Sequence, residues 1–311
     1  MHTNASLAQS GVLSDPNTFA EYLTFTLTDE QPNDAIVTVA EAWVGTERSI
    51  RQKDPESRLS ITIGVSAQAW AQLLPDHETP IGLVPFEELH DGDRTFPSTP
   101  GDLFFMIKSE RMDLNFQAAK YLKQSLGGIA DLIEDIQGFK YLDNRDMIDF
   151  VDGTENPIDV ERVEAVLVGD EQHAYSGGSY LTIQRYDDRQ EMWDAQTTEH
   201  QEKVIGRTKM DNVELDDDAK PEWAHNNKSK VEEAGEEIAM FRQNRPFGNA
   251  MEHGTMFVGL ARSPEVVATS LRQMIIADDN GDYDRLLDFI EAKTGTNYFV
   301  PPRAFLEDLA E

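Results

Sequence analysis

The chain of 311 residues contains no cysteine. That excludes a disulfide frame, a cysteine nucleophile and any zinc or iron–sulfur site held by thiolates. Basic residues are scarce: 27 Lys and Arg stand against 58 Asp and Glu, a formal net charge of −31. Nucleic acid and anionic membranes both require basic patches, so neither is expected as a main partner. No stretch approaches the roughly 18 apolar residues of a membrane span. The opening residues, MHTNASLAQS, lack a basic start, an apolar core and a twin arginine, which leads to the expectation of a soluble, cytoplasmic protein. None of the seven histidines forms an H-x-x-x-H or H-E-x-x-H pair, so zinc chemistry on a helix is not expected. What is present, 39% hydrophobic and 9% aromatic residues, is too apolar for a wholly disordered chain.

Residues 22–28 (YLTFTLT) alternate as a half-buried strand does. Asp34 is placed to cap a helix running through Trp43 and Val44. Residues 59–65 (LSITIGV) make a second strand, Ser66 opens a short helix to Leu74, and residues 103–107 (LFFMI) make a third strand. Helical spacing at Phe116, Ala119, Leu122 and Leu126 predicts a helix over 114–126, and a fourth strand follows at 136–142. The order β-α-β-β-α-β folds an antiparallel sheet with both helices on one face. The second half reads as a looser copy, with strands at 180–186, 238–242 and 255–261, a short helix near 191–194 and a helix at 264–276. A glycine-led apolar strand followed by an amphipathic helix occurs after Gly101 and again after Gly254, which suggests duplication. The expected fold is α+β, with an N-terminal half at 1–148 and a C-terminal half at 149–311 joined in one compact unit.

Two segments break this pattern. Residues 143–160 are polar and turn-rich, and residues 207–248 are long and acidic; long irregular segments in compact domains are usually functional or disordered. Within the first, Phe150-Val151-Asp152-Gly153-Thr154-Glu155-Asn156-Pro157 contains two consecutive turn dipeptides, Asp-Gly and Asn-Pro. The functional alternative is a loop, fixed by Gly153 and Pro157, that aims Asp152 and Glu155 into a cavity where a carboxylate could shuttle protons. His225 lies within the second segment with no second ligand nearby. A single histidine suits a metal whose other positions are filled by a macrocycle, and haem, most often ligated by a proximal histidine, is such a metal. Arg242 and Asn244 sit two apart near a strand end, so alternation points both to one face. Together they could clamp an oxygen species, although an ordinary surface strand with a salt bridge is the simpler account of the pair taken alone.

The segment 150–157 resembles the signature of the dye-decolourising peroxidases. So do Thr99-Pro100-Gly101-Asp102-Leu103, Gly177-Gly178-Ser179-Tyr180, Val204-Ile205-Gly206-Arg207-Thr208-Lys209 and Asn244-Arg245-Pro246-Phe247-Gly248, in an order and spacing similar to the compact B-type branch. The resemblance runs from about residue 8 to residue 301. It implies two ferredoxin-like halves, with haem b (iron protoporphyrin IX) held by the C-terminal half. Residue by residue, it implies His225 as the proximal iron ligand, Asp152 as the distal aspartate, and Arg242 and Asn244 as the distal arginine and asparagine. Arg207 matches a haem-propionate contact, Glu155 accompanies Asp152 on the cofactor side of the loop, and Asp288, in preference to Asp284, is implied as the carboxylate behind His225. The family loop often reads G-x-x-D-G, and this chain departs from it with Asp149 in place of the glycine, a second acid beside the loop.

The resemblance further implies a haem-dependent peroxidase. It would reduce hydrogen peroxide through a ferryl intermediate and oxidise dyes, phenolic or other one-electron donors, with an acidic optimum because carboxyl groups titrate near 4. Its partners would be peroxide, small-molecule reductants and further copies of itself, as a dimer or larger homo-oligomer. Trp193, Trp223, Tyr175 and Tyr283 could pass electrons to dyes too bulky for the pocket, although each one taken singly is read more readily as a packing or surface aromatic. The alternatives are a non-catalytic haem-handling protein of the same fold, cargo of an encapsulin shell (not expected, since the chain stops soon after its last helix), and chlorite-dismutase-like chemistry, against which the 150–157 segment speaks. The acidity, concentrated between 211 and 237, is expected to form solvated surface and to favour cationic reductants over anionic dyes.

Overall fold

The computed structural model describes residues 4–311, so His2 lies outside the described residues. The first half contains β1 (Phe19–Leu27), α1 (Ala35–Lys53), β2 (Ser60–Val65), β3 (Leu103–Ser109), α2 (Met112–Ser125) and β4 (Ala130–Phe139). Its strands pair antiparallel in the order β4-β1-β3-β2, the arrangement expected of a β-α-β-β-α-β unit. Helix α1 continues nine residues past the expected end at Val44, because Ile50 extends the apolar face of Val39 and Trp43, and Arg51 and Lys53 complement the C-terminal dipole. Asp34 occupies the N-cap position without making a side-chain cap hydrogen bond. Ser66 does cap the helix Ala67–Leu73, accepting from the Ala69 N–H at 3.2 Å. On α2 the buried stripe is Leu114, Ala118 and Leu122, spaced by four, with Asn115 and Ala119 beside it. Phe116, expected in that stripe, falls outside it and is 51% exposed. β4 begins six residues before the expected 136, because its alternation of exposed and half-buried residues starts at Ala130, directly after the glycine turn that ends α2.

The second half contains β5 (Ser179–Asp188), α3 (Thr198–Ile205), α4 (His225–Lys228), β6 (Phe241–Arg242), β7 (Arg245–Gly248), β8 (His253–Ala261), α5 (Pro264–Ile275) and β9 (Thr296–Val300). The order β9-β5-β8 is extended on the far side of β8 by β6 and β7, lying end to end. This repeats the topology of the first half. The strand expected at 238–242 is reduced to Phe241–Arg242 and resumes only at Arg245.

The two halves share one ten-stranded sheet. It is joined at single residues, Phe247 opposite Gly138 and Phe299 opposite Val65. With β5 paired to β8, the circuit β8-β7-β4-β1-β3-β2-β9-β5 closes on itself. A side chain at Gly138 would place its Cβ 2.9 Å from that of Arg245, so this junction requires glycine. Inside the closure Tyr22, Phe104 and Met106 pack against Leu181, Val258, Leu260 and Tyr298. Phe104 and Tyr298 stack at 5.4 Å between centroids. Each such buried side chain contributes about 1.5–3 kcal/mol, so the interface between the halves is core rather than a hinge. Among the described residues no helix is long and apolar enough to cross a membrane.

Candidate active site

A cavity with about 1470 Å³ of empty space, part of it open to solvent, lies in the second half between α4, α5, the end of β5, the 146–155 loop and the β6–β7 edge. Ile148, Phe150, Ile205, Phe257, Leu271 and Met274 supply apolar walls.

His225 opens α4 and faces this cavity. Its Nδ1 lies 2.6 Å from Oδ2 of the fully buried Asp284. The other carboxyl oxygen of Asp284 accepts from the Leu286 N–H at 2.9 Å, capping a short 3-10 turn. With Nδ1–H donated to Asp284, Nε2 is the lone-pair nitrogen left to bind a metal. Asp288, expected in this role, instead accepts from the Tyr283 hydroxyl at 2.7 Å and faces Arg285. The reason is local: residues 285–288 form a 3-10 turn, so Asp284 caps it facing inward while Asp288 turns to the surface.

Asp152, Arg242 and Asn244 line the same cavity. Asp152 is held through its main chain by Asn144: its N–H donates to the Asn144 carbonyl at 3.1 Å, and Asn144 Nδ2 donates to its carbonyl at 2.9 Å. Asn144 is in turn held by Arg245 on β7, at 3.1 Å. Arg242 and Asn244 face the cavity as their spacing predicts, while Gln243 between them is buried on the other side and accepts from Lys108. Asn244 Oδ1 accepts from the Val258 N–H at 3.0 Å. A backbone N–H can only donate, so the amide orientation is determined and Nδ2 remains available as a donor.

Arg207 and Glu155 pair at 3.0 Å on the cavity rim, and Arg207 is further held by Asn212 at 2.8 Å. Thr154 also accepts from Asn212, at 2.8 Å, so the loop and the 207–214 segment are stitched together. Asp149 does not face the cavity; it pairs with Lys209 at 3.4 Å. Its φ of +72° is the left-handed conformation that glycine adopts freely and Asp tolerates. Besides Glu155 and Glu237, two further acids share the cavity with Asp152, namely Asp146 and Asp188, neither singled out from the sequence. Burial, reinforced by the charges of Asp152 and Asp188, holds Asp146 well above the carboxylate range despite the N–H donated by Phe150. Burial, helped by Asp187, pushes Asp188 up to about 7. Their signal is tertiary, since nothing in the sequence distinguishes them from the other acids.

Trp193 and Tyr175 are buried, their polar atoms committed to Ile148 and Glu78 carbonyls, and Trp223 is partly buried beside Leu286. Tyr283 lies between the guanidinium groups of Arg94 and Arg285, 3.6 and 4.4 Å from its ring centroid. Residues 232–237 form an exposed two-strand hairpin with Lys230 bridging Glu232 and Glu237, the solvated acidic surface expected.

Among the described residues no three His, Asp or Glu side chains gather to hold a metal ion. A metal at His225 must therefore bring its other ligands with it. A planar macrocycle fits that condition, the apolar walls and the cationic rim at Arg207.

A family model described as Dyp-type peroxidase, N-terminal, matches residues 9–140, and one described as Dyp-type peroxidase, C-terminal, matches residues 143–305. The dye-decolorizing peroxidase of Rhodococcus erythropolis is 41% identical over 292 residues, 93% of this chain and 85% of that protein. That of Mycobacterium tuberculosis is 39% identical over 266 residues, 85% of this chain and 79% of that protein. The structure of DyPB from Rhodococcus jostii is similar with a TM-score of 0.93 at 39% identity, covering 99% of this chain and 100% of that one. A variant of DyPB in complex with haem gives a TM-score of 0.92 at 39% identity, with 97% and 99% covered.

Proposed function

This chain belongs to the Dyp-type peroxidase family, and on that premise we propose that it reduces hydrogen peroxide with a haem b that His225 would hold in the cavity lined also by Asp152, Arg242 and Asn244. The observation that carries this reading is that His225, backed by the buried Asp284, lines one cavity together with Asp152, Arg242 and Asn244. The haem iron, when bound, supplies the two-electron reduction of peroxide, and dyes, phenols and other one-electron donors then restore it. His225 offers Nε2 as the proximal ligand, and Asp284 keeps the imidazole oriented and electron-rich. Arg207, with Glu155 beside it, meets a propionate at the rim.

In the same cavity Asp152 would accept the proton that peroxide loses at one oxygen and deliver it to the other. Arg242 stabilises the negative charge that develops on the departing oxygen, and the Nδ2 donor of Asn244 steadies the same atoms. We propose that dye oxidation runs fastest on the acid side, where protons are most available for delivery to the departing oxygen. We further read the chain as two halves meeting at 148/149, and as a cytoplasmic homo-oligomer.

An absorption spectrum before and after one equivalent of peroxide, followed by bleaching of an anthraquinone dye across pH, tests this reading. A haem spectrum that responds to peroxide, with bleaching fastest at acid pH, is expected. Haem binding without any response to peroxide would favour a haem-handling protein instead.

A further inference from the structure

The side chain of Asn156 makes two hydrogen bonds to the main chain of one residue. Its Oδ1 accepts from the Arg242 N–H at 2.9 Å, and its Nδ2 donates to the Arg242 carbonyl at 2.8 Å. The edge geometry explains why those groups are free. Arg242 lies on β6, opposite Gly259 of β8, and the Gln243 N–H is the one that donates to Val258. Hydrogen-bonding groups alternate along an antiparallel strand, so both main-chain groups of Arg242 face away from β8, where β6 is the edge of the sheet. Asn156 takes the place of the missing neighbour.

The loop is shaped for this contact. The Asn156 N–H donates to the Gly153 carbonyl at 3.2 Å, closing a turn that starts next to Asp152. Gly153 has φ +77°, and a Cβ there would lie 3.0 Å from Asn156 Nδ2. Pro157 biases Asn156 toward extended backbone. The turn therefore begins at the carboxylate and ends on the arginine strand.

We propose that Asn156 is a positioning residue that sets Arg242 relative to Asp152, so that the guanidinium and the carboxylate address the same peroxide molecule. The proposal rests on the distal roles assigned above. A two-residue edge strand has little of its own to hold it, and a misplacement of 1 Å can cost about 10²-fold in rate. Aspartate would retain the acceptor for the Arg242 N–H but lose the donor to its carbonyl.

The experiment compares Asn156→Ala, Arg242→Leu and the double variant. Each haem-loaded protein is mixed with peroxide by stopped flow, and amide hydrogen exchange at residue 242 is followed in the haem-free proteins. Asn156→Ala is expected to bind haem as the parent does, to react about 10- to 100-fold more slowly, to exchange faster at the Arg242 amide, and to add nothing to Arg242→Leu. A parental rate, unchanged exchange, or full additivity in the double variant overturns the positioning role while leaving Arg242 in its own. A parental rate in Arg242→Leu overturns the distal assignment and the coupling with it. If Asn156→Ala does not hold haem, the isosteric Asn156→Asp carries the comparison through the peroxide rate and the double variant alone, because it keeps the acceptor for the Arg242 amide; a parental rate or full additivity there overturns the positioning role.

Discussion

Asp284 Oδ2 lies 2.6 Å from His225 Nδ1, although 59 residues separate the two in the chain. Asp284 is fully buried and caps the next turn with its other oxygen, so its position is set by the fold and not by the cofactor. Asp284→Ala is expected to weaken haem affinity about 10- to 100-fold, whereas Asp288→Ala leaves it unchanged. Titrating haem-free protein with haemin and following the Soret band distinguishes the two. An equal loss in both variants would remove Asp284 from its role.

His225→Ala is expected to lose the Soret band of the parent after purification, since no other His, Asp or Glu cluster among the described residues can take the metal. A spectrum identical to the parent's would refute the ligand.

Asp152→Ala is expected to slow the reaction with peroxide about 10²- to 10⁴-fold, the usual contribution of a positioned proton carrier. Arg242→Leu is expected to slow it about 10²- to 10³-fold, the cost of one preorganised donor. Stopped-flow traces read both, and neither substitution should change haem retention.

Asp188 gives a pH prediction that needs no cofactor. Its carboxyl is raised from 3.8 to about 7 in the folded chain, so the folded state holds a proton that the unfolded state has already released. The stability this contributes is complete below pH ~4 and is lost as pH rises through about 7. Asp188→Asn cannot ionise, and in the haem-free protein it should unfold later than the parent above pH 7, by up to about 4 kcal/mol. Urea melts at pH 4 and pH 8 measure it; a pH dependence identical to the parent's would contradict the assignment.

Asp149→Gly is expected to be neutral to stabilising by about 1 kcal/mol, because glycine accepts the φ of +72° without strain and the exposed pair with Lys209 that it removes is worth little. The peroxide rate should stay parental, since Asp149 points away from the cavity. A changed rate would mean that the acid acts on the loop.

Local signals carried much of the architecture. Alternation located β1, short apolar runs located β2, β5 and β8, and an amphipathic segment opening at Pro264 located α5. They failed where context decided. β6 is two residues long because the Asn244 side chain, in place of the Gln243 carbonyl, accepts from the Val258 N–H and breaks the ladder. α1 runs on because tertiary packing buries Ile50. In the site, Asp152, Arg242, Asn244 and His225 stand in short contiguous segments and were legible there. Asn156 was legible only as half of a turn dipeptide, since its partner lies 86 residues away.

The sequence alone determined the chemistry on offer. Without cysteine and without paired histidines, a single imidazole suited a metal that brings its own ligands better than a zinc site, and the turn residues around Asp152 read either as a loop facing a cavity or as a plain double turn. The tertiary structure decided between those, and it selected Asp284 over Asp288, lifted Asp146 and Asp188 out of the ordinary carboxylate range, and closed both halves into one sheet through Gly138 and Val65. Propensity, capping and spacing act over one or two turns of chain. Burial and pairing across the fold depend on which surfaces meet, and only the packed chain specifies that.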